Sequence, residues 1–210
     1  MTYRYPVPQG VEHKGVIFYL HGFGAYCEHN SYLFKMFAEK GYECFALDQR
    51  GFGNSGGQRG LFESTEVVYS DIYLFVFRAV EQYKINLQKV PLFLFGKSFG
   101  GVLAYNMSIR FPQLFKGIGL LAPFFKHTGD TIENYVYIIK FFNLFKLFYS
   151  FNMRDSSKPG YKEYVKKYAY HFDDPKHVSK AKLSSIVLFY DEQQQARSTT
   201  TTTPFIIINA

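Results

Sequence analysis

A serine on a glycine-flanked turn is the residue of this chain best suited to covalent chemistry. Ser98 lies within Gly-Lys-Ser-Phe-Gly at residues 96–100, between the apolar run Leu92–Phe95 and a helical pattern that ends before Pro112. A strand, a sharp turn and a helix in this order are typical of a nucleophile elbow. At such a turn the serine stands beside a helix N-terminus, whose dipole favours developing negative charge. The pattern therefore predicts that Ser98 is a nucleophile.

A second loop could supply the hydrogen-bond donors that acyl transfer needs. His-Gly-Phe-Gly at residues 21–24 directly follows the first clear apolar strand, Val16–Leu20. We expect the backbone N–H groups of Phe23 and Phe99 to bind the oxyanion of a tetrahedral intermediate. The alternative is structural: the loop is then a turn at the end of a strand, and Ser98 only caps a helix.

A glycine-rich segment after the next strand is predicted to be structural. Residues 48–57 are Asp-Gln-Arg-Gly-Phe-Gly-Asn-Ser-Gly-Gly and follow the apolar run Glu43–Leu47. The glycines permit a compact turn, in which Asp48 and Arg50 could pair. A phosphate-binding loop is the alternative, but the lysine and the spacing of a P-loop are missing.

Apolar runs that alternate with helical patterns predict an α/β fold. Such alternation favours a mostly parallel sheet with helices on both faces. Ligands bind beyond the carboxyl ends of the strands in these sheets, and all three loops lie at such ends. The predicted strands are Val16–Leu20, Glu43–Leu47, Leu92–Phe95, Gly117–Leu121 and Phe205–Ile208, and the predicted helices span residues 31–40, 65–83 and a third segment that begins at Ser98.

The composition limits the classes of protein to which the chain can belong. Its 210 residues suffice for one domain, and 47% hydrophobic residues exclude a disordered chain. The net charge of +7 permits contact with nucleic acid or anionic lipid, but no nucleic-acid recognition motif accompanies it. Cys27 and Cys44 are expected to be structural thiols, and no metal or cofactor is expected. No signal peptide or transmembrane run is apparent, so we expect a cytoplasmic protein, with peripheral membrane contact as an option.

The segment from Pro123 to about residue 200 differs from the rest of the chain. It is aromatic and basic, and we expect it to be helical, including the run Ile186–Tyr190. As a helix, residues 132–151 would carry a narrow polar stripe and an apolar arc wider than one packing face requires. Two interpretations stay open: a helix buried against the core, and a surface that docks on lipid membranes with its lysines directed to the headgroups.

Together, the three loop motifs resemble those of a known family. In their order and spacing, the motifs at residues 21–24, 48–55 and 96–101 are similar to those of monoacylglycerol-lipase-like α/β-hydrolases, also described as serine-aminopeptidase-like hydrolases. The similarity spans nearly the whole chain. It implies a single α/β-hydrolase domain over residues 1–210, with residues 123–200 inserted within it as a helical cap over the serine.

The resemblance also implies an activity. The expected enzyme is a serine ester hydrolase that cleaves a lipid ester, such as a monoacylglycerol, through an acyl-serine intermediate and without a cofactor. Ser98 would be its nucleophile, and Phe23 and Phe99 would supply the oxyanion N–H groups. The residues expected to bind substrate are His21, Gly22, Gly24 and Lys97.

Two departures from the family pattern limit this expectation. Lys97 precedes the serine, where monoacylglycerol lipases usually carry histidine. The strand Phe205–Ile208 resembles the one that leads to the triad aspartate, so the aspartate and the histidine would both follow Ala210. We therefore expect a truncated chain that lacks the final strand-helix elements, exposes a sheet edge and turns over little or no substrate. A replacement base would have to come from His127, His171 or His177.

A non-catalytic protein is the alternative. A degenerate hydrolase of this family could bind lipid or a protein partner through its cap. The presence of Ser98 together with both oxyanion loops favours the hydrolase.

Overall fold

A six-stranded sheet lies at the centre of the chain. The computed structural model describes residues 1–126, Val136, Lys140, Ser150–Asn152 and residues 174–209. The strands are β1 (Thr2–Tyr5), β2 (Gly15–Leu20), β3 (Tyr42–Leu47), β4 (Leu92–Lys97), β5 (Gly117–Leu121), β6 (Ser150–Asn152), β7 (Lys180–Lys182) and β8 (Phe205–Ile208). The main helices of the described residues are α1 (Ser31–Glu39), α2 (Thr65–Gln82), α3 (Phe99–Arg110) and α4 (Leu183–Ser198).

The sheet is mostly parallel, as the sequence predicts. Its strand order is β1-β3-β2-β4-β5-β8, and only β1 runs antiparallel to its neighbour. All six residues of β2 are buried, because this strand has neighbours on both sides and is covered on both faces. The carboxyl ends of β2, β3 and β4 therefore meet at one edge of the sheet, and this edge carries the three loops.

Helices cover both faces of the sheet. On one face, Phe34 of α1 packs against Tyr19 of β2, with ring centroids 4.8 Å apart. On the other face, Phe75 of α2 packs edge-on against Phe18 of β2 at 5.3 Å. Successive side chains of β2 thus point to opposite faces of the sheet, because side chains alternate along a β-strand. The predicted α/β-hydrolase arrangement of helices on both faces is confirmed.

Helix α2 shows why the sequence folds this way locally. The Ser64 hydroxyl accepts a hydrogen bond from the backbone N–H of Val67 at 3.3 Å, which satisfies one of the free amides of the first turn. Val68, Ile72 and Phe75 then recur at helical spacing and are all buried. The helix begins at the predicted residue and ends one residue before the predicted end.

The insert agrees with the prediction in one part and differs in another. The run Ile186–Tyr190 is helical and lies within α4, as predicted. The helix predicted over residues 132–151 falls almost wholly outside the described residues, but its last two residues lie in β6. Strands β6 and β7 form an antiparallel pair that the sequence does not predict, because three-residue strands are too short to show an alternating pattern. Within the described part of the chain, no helix has the length and apolarity needed to cross a membrane.

A buried carboxylate joins α4 to the hydrolase core. Glu192 is only 3% exposed and accepts hydrogen bonds from Thr65 Oγ1 (2.9 Å), Tyr69 Oη (2.5 Å) and Asn106 Nδ2 (2.7 Å). Burial, together with the charge of Glu192, raises the pKa of Tyr69 well above its usual value. The three donors come from α2 and α3, so one side chain ties three helices together.

Removal of this carboxylate should cost much of the stability of the fold. We expect Glu192→Ala to lower the free energy of unfolding by about 3 kcal/mol, because buried Tyr69 and half-buried Thr65 lose their acceptor and buried Asn106 loses one of its two. The neighbouring Asp191, with 45% of its side chain exposed, is the matched control, and Asp191→Ala should cost less than about 1 kcal/mol. Urea denaturation followed by circular dichroism measures both changes. Equal losses in the two variants would contradict the role given to Glu192.

Candidate active site

The backbone at Ser98 has a conformation that few side-chain-bearing residues adopt. Its φ of 53° and ψ of −120° place the residue at a sharp turn between β4 and α3. The Ser98 N–H donates to Leu121 O at 2.9 Å, and Ser98 O accepts from the N–H groups of Gly101 (2.9 Å) and Phe124 (3.1 Å). Three backbone hydrogen bonds therefore hold the strained turn that the sequence predicts, and they leave the half-buried side chain at the end of β4.

The glycines on either side of the serine are required by close backbone contacts. A Cβ atom at Gly96 would lie 2.1 Å from the carbonyl oxygen of Gly100. A Cβ atom at Gly100 would in turn lie 2.3 Å from the carbonyl oxygen of Leu20 in β2. Only glycine permits α3 to approach β2 and β4 this closely, and this approach sets the position of Ser98.

A methyl group at Gly100 should therefore be much more costly than one at an open glycine. We expect Gly100→Ala to lower the free energy of unfolding by about 2 kcal/mol or more, because the added carbon meets backbone that cannot move aside. A Cβ atom at Gly56 would meet no other atom within 4 Å, and this residue lacks a positive φ, so Gly56→Ala is the control. Thermal unfolding of the two variants tests the prediction, and a stable Gly100→Ala protein would refute it.

The loop of residues 21–24 lies directly beside the serine. A Cβ atom at Gly22 would be 3.0 Å from Ser98 Cβ and 3.5 Å from Ser98 Oγ. Among the described residues, no acceptor binds the backbone N–H of Phe23 or that of Phe99. The N–H of Phe99 is the first of α3, where a helix leaves its amides without an internal partner. The structure thus brings together the serine and two uncapped amides that the sequence assigns to one site.

His21, which directly follows β2, is fully buried. Its side chain is 0% exposed, its Nδ1–H donates to Gly22 O at 2.7 Å, and its Nε2 accepts from the Gln49 N–H at 3.0 Å. The Gln49 side-chain amide donates to His21 O at 2.7 Å. Burial lowers the pKa of His21 to about 4, so the ring is neutral near pH 7. Both ring nitrogens of His21 therefore have hydrogen-bond partners within the protein, and a contact of His21 with substrate stays a prediction.

The buried ring should make the protein less stable in mild acid. An unfolded histidine binds a proton near pH 6.5, whereas native His21 does so only near pH 4. Protons therefore bind preferentially to the unfolded chain, and the free energy of unfolding should fall as the pH decreases from about 6.5 to about 4. Urea titrations across this range should show a smaller decrease for His21→Asn, with His13→Asn as the exposed control. An identical pH profile for wild type and His21→Asn would contradict the assignment.

The charges of the glycine-rich segment 48–57 do not pair as predicted. Asp48 accepts hydrogen bonds from the N–H groups of Cys27 (2.8 Å) and Asn54 (2.9 Å). Burial alone would raise the pKa of Asp48, yet its hydrogen bonds, those from these two amides foremost, lower it. Arg50 instead forms two hydrogen bonds of 2.8 Å with Asp71 of α2, so the predicted pair of Asp48 and Arg50 is wrong. Asp71 lies 21 residues from Arg50 in the sequence, and no local pattern indicates their contact.

The insert contacts both residues that are predicted to bind the oxyanion. Phe189 of α4 packs against Phe99 with ring centroids 4.3 Å apart and against Phe23 at 5.2 Å. The carbonyl oxygen of Gly24 accepts from the N–H of Val178 at 3.0 Å. No sequence pattern indicates these contacts, because they join residues far apart in the chain. They place the second half of the insert against the candidate site.

Of the remaining predicted residues, Lys97 and His177 lie close to this site. Lys97 Nζ donates to Asn30 Oδ1 at 3.4 Å, and burial lowers the pKa of Lys97. The ring of His177 lies 3.3 Å from where a Cβ atom of Gly24 would be, whereas His127 and His171 fall outside the described residues. Within the described residues, Ser98 Oγ forms no hydrogen bond with a histidine or a carboxylate, and no group of three or more metal-ligating side chains occurs.

Known relatives match the chain over part of their length. Mouse monoglyceride lipase is 36% identical over 124 residues, which cover 57% of this chain and 38% of the mouse protein. Caffeoylshikimate esterase of Arabidopsis thaliana is 30% identical over 148 residues, which cover 67% of this chain and 42% of the plant protein. The matched part of the chain thus spans less than half the length of these relatives.

Solved structures and a family model also match the chain. A soluble variant of monoglyceride lipase from Saccharomyces cerevisiae, in complex with a substrate analog, has a TM-score of 0.77 at 22% identity and covers 99% of this chain and 72% of its own. Monoacylglycerol lipase from Paleococcus ferrophilus has a TM-score of 0.78 at 19% identity and covers 100% and 76%. The family described as serine aminopeptidase, S33, matches residues 11–210. The chain therefore has the α/β-hydrolase fold and belongs to the serine aminopeptidase S33 family of hydrolases.

Proposed function

We propose that this chain carries the nucleophile and the oxyanion site of a serine hydrolase that acts on a lipid ester, such as a monoacylglycerol. The proposal rests on the observation that the loops after β2 and β4 lie side by side at the carboxyl ends of these strands. Ser98 stands on a strained turn beside Gly22, and the N–H groups of Phe23 and Phe99 are uncapped within the described residues. A nucleophile beside two free amide donors is the arrangement that acyl transfer needs.

The substrate class rests on the relatives. Monoglyceride lipases recur among them, and caffeoylshikimate esterase shows that an esterase of another name also matches the chain. Both names describe enzymes that act on esters. The aromatic, apolar composition of the insert favours a lipid ester. We propose that residues 123–200 form a cap over Ser98. The packing of Phe189 against Phe23 and Phe99 supports this placement.

The roles of the other predicted residues differ from one another. Gly22 and Gly24 let the loop approach Ser98 and the insert closely, because a Cβ atom at Gly24 would lie 2.4 Å from the carbonyl oxygen of Val178. Lys97 is half-buried next to the serine and is proposed to border the ester-binding site. His21 is proposed to position the loop through its two hydrogen bonds.

The 210-residue chain is proposed to turn over little or no ester by itself. A serine hydroxyl is a weak nucleophile until a base takes its proton, and no described residue serves Ser98 in this way. Loss of the base in a serine hydrolase lowers kcat by about 10⁶-fold, and the residual rate comes from the oxyanion site and from binding. Docking of the insert on membranes, a cytoplasmic location and the lack of nucleic-acid partners stay predictions from the sequence.

A long-chain fluorophosphonate, which reacts with activated serines, tests the proposal. We expect slow labelling of the folded wild-type chain, lost in Ser98→Ala and retained in Ser70→Ala, because Ser70 is exposed on α2 and far in sequence from the elbow. Labelling should be accompanied by little or no hydrolysis of monoacylglycerol. Intact-protein mass spectrometry measures the adduct, and circular dichroism confirms that each variant is folded.

Two other results would change this assignment. Folded wild-type protein that is never labelled at Ser98 would favour the alternative, a non-catalytic protein that binds lipid or a partner. Rapid turnover that is abolished in a histidine variant, with His177→Ala tested first, would show that the insert supplies a base. That result would overturn the proposal of low activity while it supports the nucleophile.

A further inference from the structure

The chain directly after β5 binds the backbone of the turn at Ser98. The Ser98 N–H donates to Leu121 O at 2.9 Å, and Ser98 O accepts from the Phe124 N–H at 3.1 Å. In a regular parallel ladder the donor to Ser98 O would be residue 123, but this residue is a proline and has no N–H. Phe124 therefore supplies the hydrogen bond that the proline cannot, and the position of Ser98 depends on the path of residues 122–124.

A second strained residue lies in this segment. Ala122 has a φ of 44°, a left-handed conformation that residues with a Cβ atom rarely adopt. Ala122 and Ser98 are thus both strained, and they follow the carboxyl ends of the paired strands β5 and β4. Strained backbone conformations persist only where the surrounding structure holds them. The segment after β5 therefore needs interactions that keep it against the turn at Ser98.

A side chain of the insert provides one such interaction. Gln193 of α4 is only 5% exposed, and its Nε2 donates to Phe124 O at 2.7 Å. The N–H of the same Phe124 donates to Ser98 O. The side-chain amide of Gln193 is therefore linked to the turn at Ser98 through a single residue and its two hydrogen bonds.

The same helix contacts the oxyanion side of the site. Phe189 lies one turn before Gln193 on α4, and it packs against Phe23 and Phe99. Glu192 fixes α4 to α2 and α3 through three hydrogen bonds. Because α4 is anchored in this way, Gln193 donates to the segment after β5 from a fixed position.

We propose that Gln193 is a positioning residue for the nucleophile, which acts through Phe124 and does not touch the substrate. This inference rests on the proposed function, in which Ser98 attacks an ester. The hydrogen bond of Gln193 fixes Phe124, so that its N–H stays on Ser98 O and the strained turn keeps one orientation. Without this bond, the Ser98 side chain spends less time in the orientation that faces the amides of Phe23 and Phe99.

Removal of one donor tests this role. Gln193→Met keeps a side chain of similar length and loses the amide, and Gln194→Met makes the same change at a half-buried residue on another face of α4. At a saturating concentration of the long-chain fluorophosphonate, we expect the rate constant for labelling of Ser98 to fall about threefold to tenfold in Gln193→Met, because one buried hydrogen bond is lost. Gln194→Met should react like the wild type.

The other kinetic parameters separate positioning from a loss of folded protein. The probe concentration that gives half the maximal rate should be unchanged, because Gln193 does not contact the probe. The final labelled fraction should also be unchanged, whereas partial unfolding would lower it. If Gln193→Met fails to fold, Gln193→Asn takes its place, because its side chain is shorter by a methylene group and its amide no longer reaches Phe124 O.

Nuclear magnetic resonance tests the same link without any reaction at Ser98. The chemical shift of an amide proton depends on the length of its hydrogen bond. The amide resonance of Phe124 should therefore move upfield in Gln193→Met, and it should keep its position in Gln194→Met.

Three results would overturn the proposal. The first is an unchanged rate constant in folded Gln193→Met. The second is an equal decrease in Gln194→Met, which would show a general effect of changes in α4. The third is a Phe124 resonance that does not move in Gln193→Met. A wild-type chain that is never labelled would contradict the proposed function instead, and the Phe124 resonance would then decide alone whether Gln193 holds the turn.

Discussion

The site depends on one close contact between backbones. The carbonyl oxygen of Leu20, the last residue of β2, lies where a side chain at Gly100 would be. Because α3 can approach β2 only at this glycine, the contact fixes the start of α3 beside the end of β2. The serine that precedes α3 and the loop that follows β2 are then forced together. The strained backbone of Ser98 is the local consequence of this packing.

Buried polar groups fix the loops and the insert, which the contact between Leu20 and Gly100 does not position. The His21 ring binds Gly22 in its own loop and Gln49 after β3, and Asp48 accepts hydrogen bonds from the amides of Cys27 and Asn54. Glu192 does the same for the insert, since its donors come from α2 and α3. Each of these groups has at least one hydrogen-bond partner from a distant part of the sequence. Burial of His21, Asp48 or Glu192 without these hydrogen-bond partners would cost free energy. The buried groups therefore favour the one arrangement of the chain in which the partners are present.

The sequence is most informative where the interactions are local. Five strands of the central sheet, the main helices and the turn at Ser98 follow from apolar periodicity and from glycine spacing, both of which extend over a few residues. The loop pattern predicts the wrong partner for Arg50, because Asp71 lies on a helix that this pattern does not include. The burial of His21 escapes prediction for a similar reason, since one of the two partners of its ring is Gln49, 28 residues away.

The contacts of the insert are likewise not predictable from local sequence patterns. The apolar run of α4 predicts a helix, but not its attachment through Glu192 and Phe189, because contacts between distant segments leave no periodic signal. The pair of β6 and β7 escapes prediction because three residues are too few to alternate. The cap over Ser98 stays a proposal that the family resemblance suggests, and the contacts of Phe189 with Phe23 and Phe99 are consistent with it.

A crystal structure of the chain after prolonged reaction with a long-chain phosphonate ester would test the central claim most directly. We expect phosphorus bonded to Ser98 Oγ. We also expect a phosphonyl oxygen about 2.7–3.1 Å from the backbone nitrogens of both Phe23 and Phe99. An adduct on another residue, or a phosphonyl oxygen directed away from both amides, would contradict the claim that these two loops form one catalytic site.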